Sequence, residues 1–65
     1  MVWLYERGSA TLQIETRFDN KTREMVVVLA WPDGRAQVER FADAGSCRTW
    51  LRDLEQNLNK DAWNL

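Results

Sequence analysis

The sequence has no histidine, one cysteine, one proline and three glycines. Each shortage closes off a kind of protein. Without histidine, the side chain that most often performs general acid–base catalysis is missing. The lone Cys47 cannot form an intrachain disulfide. It also cannot complete a structural zinc site, which takes about four nitrogen or sulfur ligands. The glycines are too few and too scattered for a phosphate-cradling loop. No stretch approaches the roughly 20 apolar residues that cross a bilayer. Met1–Arg7 lacks the basic start and apolar core of a signal peptide. An unpaired cysteine fits a reducing compartment. The expectation is a soluble cytoplasmic protein with no metal, cofactor or membrane partner, and no enzyme.

Nine basic residues stand against ten acidic ones. That balance argues against a purely electrostatic nucleic-acid binder, which carries a basic excess. Seven of the nine bases are arginine, the cation suited to interfaces and to bidentate phosphate contacts.

What the chain does have is a change of period. Up to Phe41 the apolar residues mostly alternate, as in strands; from Cys47 they recur at helical spacing. The alternation predicts strands over residues 2–6, 11–18, 24–31 and 36–41. Gly8-Ser9, Asp19-Asn20-Lys21-Thr22 and Pro32-Asp33-Gly34 supply the turns between them. A helix is predicted over 44–58, capped by Asp43 or Ser46, with Cys47, Trp50, Leu51, Leu54 and Leu58 as its apolar stripe. Arg48, Arg52, Glu55 and Gln56 line its opposite side, with Arg52 and Glu55 spaced to share charge. Asn59-Lys60 is expected to end the helix. Residues 59–65 form a tail whose Trp63 folds back onto the sheet or helix. Short successive loops make the fold a single α+β domain over 1–65: a four-stranded antiparallel meander with one C-terminal helix on one face.

Register decides which residues share a face. A turn centred on Asn20-Lys21 sets Ile14 opposite Val27 and Leu12 opposite Leu29. Leu12, Ile14, Phe18, Met25, Val27, Leu29 and Trp31 then make the face the helix covers. A three-residue loop at Pro32-Asp33-Gly34 pairs Val28 with Val38 and Ala30 with Ala36. Val26, Val28, Ala30, Ala36 and Val38 thus form a second apolar patch on the other face, with Arg40 at its rim. A two-residue loop at Asp33-Gly34 instead moves Ala36 and Val38 to the helix face and shrinks that patch. One helix cannot cover both faces.

A chain of 65 residues buries only about 60% of its unfolded surface. With disulfides and metal excluded, dense packing or self-association must make up the difference. The sequence therefore points to a homodimer meeting through the patch. The same surface also suits a small subunit or inhibitor docking on a larger protein. A different reading assigns nucleic-acid binding to the sheet aromatics Trp3 and Tyr5, with Arg17, Arg23, Arg35, Arg48 and Arg52 tracking phosphates. Four strands before one helix is an order that dimeric single-strand-binding domains also use, an analogy of architecture without a shared motif. Glu6, Glu15, Glu24 and Glu39, on the same strands, oppose that reading. Cys47, on the apolar stripe with no base near it in sequence, is expected to be a core residue.

Overall fold

The computed structural model describes residues 1–65. Four strands come first: β1 (Val2–Arg7), β2 (Ala10–Asp19), β3 (Glu24–Ala30) and β4 (Ala36–Phe41). The helix α1 (Ala44–Lys60) follows. The strands pair antiparallel with their sequence neighbours in the order β1-β2-β3-β4. The predicted four-stranded meander with a C-terminal helix is the fold observed.

Each hairpin is set by local chemistry. Arg7 pairs with Ala10 across a two-residue loop. Gly8 there has φ +61°, the conformation that the first position of a type II′ turn gives to glycine. Between β3 and β4, the Trp31 N–H donates to the Arg35 carbonyl at 2.9 Å, closing the three-residue loop Pro32-Asp33-Gly34. Gly34 sits at φ +92°. Val28 pairs with Val38 and Ala30 with Ala36, as that loop length requires.

The middle hairpin differs from its expected register. Ile14 lies opposite Leu29 and Thr16 opposite Val27. Asp19 and Glu24 form the last pair, so the loop holds four residues, Asn20 to Arg23, rather than a tight turn on Asn20-Lys21. The Asp19 carboxylate accepts from the backbone of Lys21 at 2.9 Å, and Arg23 takes the left-handed conformation at φ 58°. An Asx turn thus absorbs two residues that the simpler turn leaves in the strands. A shift of two residues preserves the side-chain alternation, so no residue changes face.

The Asp43 carboxylate caps α1, accepting from the Ser46 backbone at 2.7 Å and the Ser46 hydroxyl at 3.0 Å. Of the two cap candidates, Asp43 is the cap and Ser46 its donor. The helix ends at Asn59-Lys60, two residues beyond the predicted 58, in a Schellman motif. The Trp63 N–H donates to the Leu58 carbonyl at 2.9 Å, and the Ala62 N–H to the Asn59 carbonyl at 3.2 Å. Ala62 occupies the left-handed position at φ 65°, where glycine is usual. The motif turns Trp63 inward beside Leu58, and both are buried. Asn64 then exchanges two backbone bonds with Glu6 and pairs with the outer edge of β1. Arg7 locks the tail: its guanidinium lies 4.5 Å from the Trp63 ring centre and donates to the Asp61 carbonyl at 3.1 Å.

The core forms between the sheet and α1. Tyr5, Leu12, Ile14, Val27, Leu29, Cys47, Leu58 and Trp63 are its buried members, with Trp3, Met25, Trp31, Phe41, Trp50, Leu51 and Leu54 packed around them. Phe18 shares this face of the sheet but is 53% exposed. The molecule measures 38 × 22 × 17 Å, and its thinnest dimension is two layers. Its radius of gyration is 12.2 Å, against about 10.7 Å for a compact domain of this length. Its accessible surface is 4666 Å², against about 4,300 Å² for a typical monomer of this mass. Both excesses accord with the elongated, two-layer shape.

Candidate interaction surface

Strand alternation places every second residue on the face opposite α1. The observed registers arrange these residues in rows across the strands. Val2, Glu15, Val28 and Val38 make one row; Leu4, Gln13, Ala30 and Ala36 make the next. Val2 and Leu4 are 54% and 47% exposed, Val38 is 55% exposed, and Ala30 and Ala36 are also open. Val28 is half-buried. The polar residues of β2 divide the face into a β1 strip and a β3–β4 strip.

A third row consists of Arg17, Val26 and Arg40. Val26 is 1% exposed although it lies on the helix-free face. Its cross-strand neighbours on both sides are arginines, whose aliphatic stems cover apolar ground while their heads stay in water. Arg40 is anchored by Asp19 Oδ2 at 3.2 Å and Glu24 Oε1 at 3.4 Å. These partners raise the Arg40 pKa, and Arg40 holds the Asp19 carboxyl below the usual carboxylate range. Of the expected patch, Val28, Ala30, Ala36 and Val38 are open to a partner, Arg40 stands at the rim, and Val26 is sealed within the chain.

Val2 and Leu4 belong to the surface and were missing from the patch read in the sequence. Their signal was the two-residue turn at Gly8-Ser9, which by counting alone sets Leu4 beside Gln13 and Val2 beside Glu15.

The residues proposed for nucleic-acid contact do not converge. Tyr5 is 2% exposed beneath α1, and Trp3 is half-buried on the same face. Arg17 lies on the opposite face, Arg23 in the β2–β3 loop, and Arg35 at the far end of the sheet. Arg35 pairs with Asp33 at 2.7 Å and lies 5.7 Å from the Trp31 ring centre. Arg48 and Arg52 are exposed on α1. Glu55 turns toward β1, where its Oε1 accepts from the Tyr5 hydroxyl at 3.0 Å. It forms no ion pair with Arg52.

Other concave features hold little chemistry. An open cleft of about 310 Å³ lies at the β3–β4 turn, lined by Arg7, Arg35, Asp33, Asp61, Trp31 and Trp63. Its two arginines and two aspartates balance, and each arginine already lies over an indole. Cys47 is buried, and burial pushes its thiol pKa up, away from the nucleophilic thiolate. No three of the Cys, Asp and Glu side chains converge where they could hold a metal ion. No helix is long and apolar enough to cross a membrane. Compared with known proteins, the chain matches no family model, no curated protein and no solved structure.

Proposed function

We infer that this chain is a small non-enzymatic interaction module that self-associates through the helix-free face of its sheet. One observation carries the reading: Val2, Leu4, Val28, Ala30, Ala36 and Val38 share that face, and nothing in the chain covers it. A second copy is the partner because the two strips are mutually complementary. A two-fold axis parallel to the strands lays β1 of each copy against β4 of the other. The Val2–Leu4 strip then meets the Ala36–Val38 strip twice in one isologous interface. Burial of these side chains drives association at about 25 cal/mol per Å² of apolar surface removed from water. Arg40 stays at the rim, where it orients the copies more than it binds them, while Gln13 and Glu15 of β2 lie between the strips, opposite Ala30 and Val28 of the other copy.

Sedimentation equilibrium at low and high salt tests this. A dimer held by apolar burial persists at high salt, whereas phosphate or charge-driven association falls steeply with it. Val28→Asp places a charge at the middle of the face without touching the helix-side core, and is expected to dissociate the dimer. An unchanged oligomer in that variant removes the proposed interface.

A further inference from the structure

The two edges of the sheet are treated differently. On β1, the outward backbone of Glu6 is occupied by Asn64, with bonds of 2.7 and 2.8 Å. On β4 nothing is bound. The Trp31–Arg35 bond marks that pair as hydrogen-bonded, so by antiparallel alternation Gln37, Glu39 and Phe41 bond inward to β3. The N–H and C=O groups of Ala36, Val38 and Arg40 therefore point outward, and no turn, tail or side chain bonds to them. Edge strands are ordinarily blunted by proline, charged side chains, a bulge or a covering segment. β4 carries Glu39 and Arg40 but has no proline, bulge or covering segment, and its pairing with β3 runs unbroken from Ala36 to Phe41.

We propose that β4 pairs antiparallel with β4 of a second copy, centred on Val38, joining two sheets into one of eight strands. The strand is self-complementary in that register. Val38 faces Val38, Ala36 faces Arg40, and Arg40 faces Ala36; each pair consists of outward-bonding residues and exchanges two hydrogen bonds. On the helix side, Gln37 of one copy stands opposite Glu39 of the other. These two side chains already bond within the chain at 3.0 Å, and the pairing offers each the same partner across the junction. Sliding by two residues in one direction sets Glu39 against Glu39, and like charges directly opposite are destabilising. Sliding the other way leaves only two bonded pairs within the strand. This edge is distinct from the helix-free face. The inference shares with the proposed function only the premise that the partner is another copy.

The test combines molar mass with amide exchange measured by NMR. In the wild type, the Val38 and Arg40 amides are expected to exchange freely at micromolar concentration and to become protected as concentration rises. Val38→Pro removes an N–H with no partner in the chain, at an edge position where proline is tolerated, and keeps an apolar side chain at this position of the face. It is expected to leave at most a dimer paired through the face and to keep the fold. Val28→Asp acts on the face and leaves the edge intact. A mass lowered by Val28→Asp but not by Val38→Pro overturns the edge pairing and leaves the face interface standing. A mass lowered by Val38→Pro alone removes the face interface and supports the edge. Should Val38→Pro unfold, the wild-type amides still decide: no protection at concentrations where the protein is oligomeric overturns the pairing. A monomer at every concentration overturns it as well.

Discussion

The hydroxyl of Tyr5, at the middle of β1, donates to Oε1 of Glu55 on α1 at 3.0 Å. It is the one side-chain hydrogen bond between the sheet and the helix. Burial, then the bond to Glu55 and its charge, push the Tyr5 pKa from 10.0 up to about 12. The folded state therefore holds the phenolic proton more tightly than the unfolded state. Below pH 10 both states are protonated and the contribution is constant. Between pH 10 and about 12 only the unfolded chain releases the proton, so stability falls as pH rises, by on the order of 3 kcal/mol. Tyr5 is the only tyrosine, so tyrosinate absorbance reads it directly. Native protein is expected to titrate near 12, denatured protein near 10. Tyr5→Phe is expected to flatten the stability curve over that window and to cost about 1 kcal/mol at neutral pH.

Trp63 is buried outside any regular element, held by Leu58 below and Arg7 above. Trp63→Ala removes a large core side chain, at a cost of about 3–5 kcal/mol. A domain of this length has only about 3–10 kcal/mol in total. The variant is expected to lose most of its cooperative thermal transition by circular dichroism. A transition within a few degrees of wild type contradicts the structural role of the tail.

Ala62 is in the left-handed region, where a Cβ costs roughly 1–2 kcal/mol. Glycine adopts that conformation without the clash but loses more backbone entropy on folding. Ala62→Gly is expected to raise stability by about 1 kcal/mol, seen as a higher urea midpoint with an unchanged m-value. A lower midpoint indicates that the Schellman turn is held by something other than backbone preference.

Cys47 lies in the first turn of α1, a position that favours a thiolate, yet burial raises its pKa. Reaction with a soluble disulfide reagent is expected to follow opening of the helix rather than thiol ionisation. Its rate therefore tracks the population of unfolded chain and rises sharply in sub-denaturing urea. Fast labelling of the native protein rules this out.

Sequence and tertiary structure divide the molecule along physical lines. The period change at Phe41–Cys47, the apolar stripe of α1 and the Pro32-Asp33-Gly34 loop are local features, and local chemistry is enough to read them. The Trp31–Arg35 bond selects the three-residue form of that loop over a two-residue one and so places Val28 beside Val38. The β2–β3 register escaped because Asp19 bonds its own downstream backbone, and a turn with several closures is not decided by composition. Glu55 escaped because it sits at the border of the helical stripe, where only the position of β1 determines what it meets.

The burial of Val26 shows the division most clearly. Alternation assigned it to the helix-free face, and it is there. Its removal from solvent depends on Arg17 and Arg40 arriving from strands on either side, and on Asp19 and Glu24 holding Arg40 in place. The pairing of Asn64 with Glu6 at the edge of β1 and the openness of β4 have the same character. The sequence by itself determined the elements and their order, because these follow from turn chemistry and period. Only the tertiary structure decided which surfaces stay open, because cover comes from residues distant in the chain whose arrival no local pattern encodes.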